Sequence, residues 1–220
     1  MRFLLDDASL CFVNVHLAAG QDHVMNRNHD ITTILESANL PIPSIASARP
    51  ENFALGGDGA LVMDHEICIL NGDFNYRIDG LPRDEVINAI QSGDLKRLIA
   101  HDQLSQTRHR NPAFILRAFH EEPISFDPTY KYDVGTNRYD TSEKRRVPAW
   151  CDRILYKGAG DTVQQTEYRR HEVKASDHRP VSGRFNMRIK SIQADKRLEM
   201  RRRCEQEFLK VKREIRHEAQ

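Results

Sequence analysis

Short apolar runs rich in β-formers, each bordered by a polar cluster, constrain the fold of this chain more than any other feature of its sequence. Residues 10–17 (LCFVNVHL) and 66–71 (EICILN) are of strand length, the second expected to stop at Gly72. Shorter runs follow at 154–156 (ILY) and 180–185 (PVSGRF). The clusters beside them are Asn14–His16, Gly72-Asp73-Phe74-Asn75, Trp150-Cys151-Asp152-Arg153 and Ser176-Asp177-His178-Arg179. Between them lie helical patterns. Val24, Ile31, Ile34 and Leu35 predict a helix over 23–38, and Pro82 opens a second that Gly93 should split. A loop is expected over 39–60, ending in the turn-forming GGDG. Strands mixed with helices, without a strict βαβ rhythm, predict a layered α/β domain rather than a Rossmann sheet.

The 220 residues are 39% hydrophobic, enough for one packed core. A net charge of +1 excludes a global affinity for polyanions. No stretch reaches the roughly 20 apolar residues that cross a bilayer, and the opening MRFLLDDASLCF is too short and acidic for a signal peptide. Cys11, Cys68, Cys151 and Cys204 form no CxxC pair, so a reducing, cytosolic compartment is expected. The tail differs in composition. Residues 190–220 carry ten Lys/Arg and six Asp/Glu, uninterrupted by Pro or Gly, with Phe208, Val211 and Ile215 at helical spacing. They predict a solvated helix leaving the domain.

Strand ends are where chemistry gathers on a rigid scaffold. Asp73 and Asn75, two apart on an extended segment, would point to one side and could orient a water and hold a phosphate oxygen; Gly-Asp-x-Asn also makes an ordinary turn. His178 can pair with a carboxylate from another strand, Asp73 or Asp152, for proton transfer, though an Asp-His dipeptide is also a common surface pair. Asp152, beside the only Trp, needs a partner if half buried. Arg153, facing the other way, is read as a tie between strands. Lys131, Lys144, Arg145 and Arg146, interleaved with Tyr130 and Tyr132, suit phosphate oxygens only if they border the acidic cluster. No cysteine has Arg six residues on, and there is no Walker A, HExxH or GxSxG motif, so phosphate hydrolysis would need a metal and an activated water.

Taken in order, ILNGDFNYR (69–77) and RVPAWCDRIL (146–155), flanked by FVNVHLAAG, FDPTYKYD and SDHRPV, resemble the inositol polyphosphate 5-phosphatases. The resemblance implies the DNase I-like four-layered α/β sandwich, two packed β-sheets flanked by helices with the site on one edge. It implies Mg2+-dependent removal of the 5-phosphate from phosphoinositides or soluble inositol polyphosphates by a cytoplasmic, peripherally membrane-associated protein. His16 would contact the scissile phosphate and Asp73 would position or deprotonate the attacking water. Asn75 would bind phosphate, Asp152 would support the substrate side, and Asp177 and His178 would complete the catalytic set. Tyr130, Lys131, Lys144 and Arg146 would contact the neighbouring 4-phosphate, and Arg27 and Asn28 would hold the adjacent loop on the substrate side.

The family's early strand with an Asn, its metal-binding Glu and its GNKG loop have no counterpart here. The chain is therefore expected to be truncated at its N-terminus, missing those strands. Glu36 and Glu66 do not match the metal Glu, so the metal ligands stay unknown, with Asp177 the candidate contributor. Residues 1–188 are expected to be the catalytic part and 189–220 a charged helical extension, open to a helix-mediated protein partner. Two other readings remain. One is an inactive fragment or pseudo-phosphatase binding phosphoinositides as a scaffold. The other is a nuclease of the same fold, against which the Lys131, Lys144 and Arg146 set and PAWCDR argue; no nucleic-acid partner is expected.

Overall fold

The computed structural model describes residues 1–37, 40–41 and 49–218. Positions 39 and 42–48 of the loop expected over 39–60 lie outside them. Four strands form the larger sheet in the order β1 (Arg2–Leu5), β2 (Ala8–His16), β3 (Ile67–Asp73) and β4 (Asp152–Lys157). β1 and β2 are antiparallel, β2 and β3 parallel, β3 and β4 antiparallel. A hairpin-like pair, β5 (Val163–Arg170) and β6 (Val181–Met187), makes a second sheet. The helices are α1 (Val24–Glu36), α2 (Arg83–Ser92), α3 (Leu95–Ala100), α4 (Gln103–Arg110) and α5 (Ala194–Glu218). No helix among the described residues is long and apolar enough to cross a membrane.

The continuous apolar runs of β2 and β3 follow from burial of both sheet faces. Side chains alternate along a strand. Cys11, Val15, Cys68 and Leu70 meet Ile31 and Leu35 of α1 on one face. Leu10, Ile67 and Ile69 meet Val163 and Phe185 of the second sheet on the other. A third core joins Val86 and Ala89 of α2 and Leu98 of α3 to the fully buried Trp150, whose Nε1–H donates to Phe126 O at 2.9 Å. Gly93 does split the second helical pattern, capping α2 in the left-handed region at φ 74°, and Asp94 then accepts from Arg97 N to start α3.

Two expectations need correction. β3 does not stop at Gly72 but runs through it to Asp73. Gly72 sits at φ +128°, and a Cβ there would lie 2.2 Å from Val15 O, so glycine lets β2 and β3 close up beside the polar strand ends. The tail helix begins at Ala194, later than expected. The residues before it are instead fastened to Asp7, whose N–H donates to Lys190 O at 3.0 Å and whose Oδ2 accepts Ile192 N–H at 2.6 Å.

Candidate active site

Register puts the first three site residues in a row. β2 and β3 run parallel and end together, with His16 paired to Asp73. β4 runs the other way and starts at Asp152, paired to Asp73 across the next ladder. Directly opposed residues project on the same face. His16, Asp73 and Asp152 therefore line one edge, drawn from segments far apart in the chain.

His178 joins them from the segment between β5 and β6. A bridge between Tyr130 and His178 and the donation of Arg179 N–H to Thr129 O fix that segment. The Nδ1 of His178 lies 2.9 Å from Asp152 Oδ2, which also accepts the Thr129 hydroxyl at 2.6 Å. With Nδ1 so engaged, Nε2 stands 4.0 Å from Asp73 Oδ2. His16 Nε2 approaches the same oxygen at 3.5 Å, from a side chain that is 76% exposed. The other Asp73 oxygen accepts Asn75 N–H at 2.9 Å. Asp177 adjoins this group; its carboxylate accepts the Ser176 hydroxyl at 3.2 Å.

Burial pushes the Asp73 carboxyl above the ordinary range, as does the nearby Asp152 charge, while His178, the Asn75 hydrogen bond and His16 pull it back. Burial works against the cationic form of His178. The Asp152 hydrogen bond and the charges of Asp152, Asp73 and Asp177 outweigh it and lift this imidazole above 6.5. A group whose folded value is raised stabilises the fold fully below its unfolded value and loses that contribution as pH rises through the folded value. Stability from His178 is therefore present below 6.5 and lost above it. Urea unfolding midpoints followed from about pH 5 to 9 should show this decline, and His178→Asn should flatten it. Equal slopes in both proteins would refute the linkage.

Two expected site residues turn inward. Asn75 does not share an extended segment with Asp73. It lies past the end of β3 at φ 56°, a left-handed conformation that Asn tolerates. Its carboxamide is buried, donating to Leu17 O at 3.0 Å and accepting from Arg77. Arg27, expected on the substrate side, is fully buried. Its guanidinium donates to Ala18 O at 3.0 Å, Gly20 O at 2.6 Å and Gln103 Oε1 at 2.6 Å, so it braces the loop after β2 instead of facing a ligand. Asn28 accepts the Tyr76 hydroxyl at 2.7 Å in the same brace.

The basic segment meets the acidic cluster at Tyr130. The Tyr130 ring lies against the His178 ring, centroids 4.6 Å apart, with the Arg77 guanidinium 4.4 Å from its centre. Buried Asp140 organises the loop beyond Tyr130, accepting Ser142 N–H at 3.1 Å and Arg146 N–H at 2.8 Å while Asp140 N–H donates to Lys131 O. Lys131 is thereby half exposed, and Lys144 and Arg146 are exposed, along that one loop. Thr129, Arg77 and Asp140 were missed in the sequence. Thr129 and Asp140 sit in a turn-rich stretch without periodicity, and Arg77 differs from its neighbours only in lying two residues past Asn75.

Among the described residues, no group of three or more His, Cys, Asp or Glu side chains is placed to hold a metal ion. The hydrogen bonds above explain it. Asp73 divides its oxygens between Asn75 N–H and two imidazoles, and Asp152 Oδ2 is held by Thr129 and His178. These residues do not fit magnesium as a complete site.

Residues 1–184 match the model of the endonuclease/exonuclease/phosphatase family 2. A Schizosaccharomyces pombe protein named "Probable inositol polyphosphate 5-phosphatase" is 50% identical over 194 residues, covering 88% of this chain and 16% of the relative. Synaptojanin of Caenorhabditis elegans is 39% identical over 202 residues, covering 90% of this chain and 16% of its own length. The chain thus spans about a sixth of the curated relatives it matches. The crystal structure of the inositol polyphosphate 5-phosphatase domain of SPsynaptojanin, in complex with inositol (1,4)-bisphosphate and calcium ion, superposes with a TM-score of 0.76 at 36% identity. That match covers all of this chain and 58% of the solved one.

Proposed function

Because the chain belongs to the inositol polyphosphate 5-phosphatases, within the endonuclease/exonuclease/phosphatase family 2, we propose that it serves to hydrolyse the 5-phosphate of phosphoinositides such as phosphatidylinositol 4,5-bisphosphate, or of soluble inositol polyphosphates. The observation that carries the reading is the in-register row His16–Asp73–Asp152, closed by His178 bonded to Asp152 and facing Asp73. Each member has a chemical role. Asp73, its basicity raised by burial, takes the proton of a water attacking phosphorus. As that water adds, the phosphorus–oxygen bond to the inositol ring breaks, and the ring oxygen leaves as the free hydroxyl with a proton from solvent, while Asp73 returns its own to solvent. His178, oriented by Asp152 and with its cationic form favoured by its acidic neighbours, donates from Nε2 to a phosphate oxygen. His16 meets the phosphate from the open side. Lys131, Lys144, Arg146 and Tyr130 take the neighbouring 4-phosphate, where exposed cations suit a dianion.

The cytoplasmic face of a membrane and a magnesium requirement belong to the same proposal, for the protein that carries this chain. The lack of a three-ligand metal group among the described residues favours a second reading for residues 1–220 by themselves, a phosphoinositide-binding module without turnover. One experiment separates the two: phosphate release from phosphatidylinositol 4,5-bisphosphate vesicles with magnesium, then with chelator, and a nucleic-acid control. Chelator-sensitive release from lipid alone is the expected result for the hydrolase. Vesicle binding by folded protein without release supports the binding module, and release from nucleic acid alone refutes both.

A further inference from the structure

The helix α5 is fastened at one end and unpartnered along the rest. Its first two turns are tied to the base of the domain, Arg197 to Glu51 and Arg201 to the same carboxylate at 3.6 Å. From Arg202 to Arg216 every side chain is exposed. That exposed length is patterned. Cys204, Phe208, Val211 and Ile215 recur at intervals of four, three and four, the seam of a two-stranded coiled coil. Phe208 is 66%, Val211 49% and Ile215 61% exposed, an apolar stripe with nothing against it among the described residues.

We propose that α5 is a dimerisation helix, pairing with α5 of a second copy of this chain in a short parallel coiled coil. Charge decides the occupant. With Phe208 and Ile215 at heptad position a and Cys204 and Val211 at d, Glu207 falls at g and Lys212 at the following e. In a parallel pair each Glu207 faces Lys212 of the second copy, twice by symmetry. In an antiparallel pair Glu207 and Glu214 would be brought together instead.

A bilayer fits the stripe less well. Lys212 borders it on one side only, and its Glu207 and Glu214 flank is acidic, whereas a membrane-surface helix carries cations on both sides of the apolar face. The position of α5 points the same way, given the lipid substrate proposed above. The helix is fastened beside Asp7, just before the start of β2, and His16 ends that strand. The nine residues of β2 put about 25 Å between them. With the active edge on a membrane, α5 leaves from the far side.

Sedimentation velocity of the full chain across the micromolar range tests the pairing. The expected result is a concentration-dependent dimer that Phe208→Glu abolishes. Glu207→Lys should weaken it about tenfold, and adding Lys212→Glu should restore it. Mild oxidation should link the dimer through Cys204, the exposed cysteine, only if the helices are parallel and in register. A monomer at all concentrations, a dimer indifferent to Phe208→Glu, or a charge swap without recovery would each overturn the proposal. So would a monomer that binds phosphatidylserine vesicles and loses that binding on Phe208→Glu. None of these readouts depends on phosphate release, so the dimer and the hydrolase reading fail separately.

Discussion

Asp73→Asn is expected to lower phosphate release by about a thousandfold, within the range for loss of a positioned proton acceptor. The amide keeps the shape and can still accept Asn75 N–H through its oxygen, but it cannot take a proton from water. The same change should not weaken the fold. Burial raises the Asp73 value above 3.8, so the unfolded chain releases this proton at lower pH than the folded one. Stability then falls as pH rises through that window, and at neutral pH the buried carboxylate is a net cost. The asparagine variant should therefore match or exceed the parent in urea stability at neutral pH while losing turnover. Phosphate release and unfolding measured on the same preparations check both halves. An unchanged rate would remove Asp73 from the chemistry, and a large loss of stability would mean that its charge holds the row together.

Arg153→Met has the largest expected effect on the fold, a loss of about 3–5 kcal/mol in urea unfolding. The guanidinium is 1% exposed and donates to Asp102 Oδ1 at 3.0 Å and to Glu121 Oε1 and Oε2 at 2.6 and 2.8 Å. Methionine fills much of the volume but strands two buried carboxylates beside each other. Asp102 is doubly committed, because its Oδ2 also accepts Ser105 N–H at 2.8 Å to start α4. A variant as stable as the parent at neutral pH would show that these charges are dispensable. Turnover per folded molecule should change far less than with Asp73→Asn, since Arg153 projects from β4 away from the catalytic row.

That Arg153 faces away from the site was available from the alternation of β4, because Asp152 toward the site forces its neighbour to the opposite face; it ties β4 not to another strand, as expected, but to Asp102 at the start of α4 and to Glu121. The helix break at Gly93 was legible for a similar reason, as a left-handed cap is a local demand that glycine meets best. Asn75 shows where local reasoning fails. Two-residue spacing implies a shared side only while the chain stays extended, and here the backbone turns directly after Asp73. Arg27 does hold the adjacent loop, as the resemblance implied, but from inside: the carbonyls of Ala18 and Gly20 that satisfy it are set by how that loop wraps α1, which takes it off the substrate side.

By itself, the sequence determined the short two-face-buried strands, the main helices, the family, and which acidic and imidazole groups stand at strand ends. Those are properties of neighbouring residues: period, turn chemistry and motif spacing. Only the tertiary structure decided that His16, Asp73 and Asp152 share one row, that Thr129 and His178 divide one carboxylate oxygen, and that Asn75 and Arg27 point inward. Register between strands more than fifty residues apart depends on how the faces of β2, β3 and β4 pack on α1 and the second sheet, and no local stretch of sequence contains that packing.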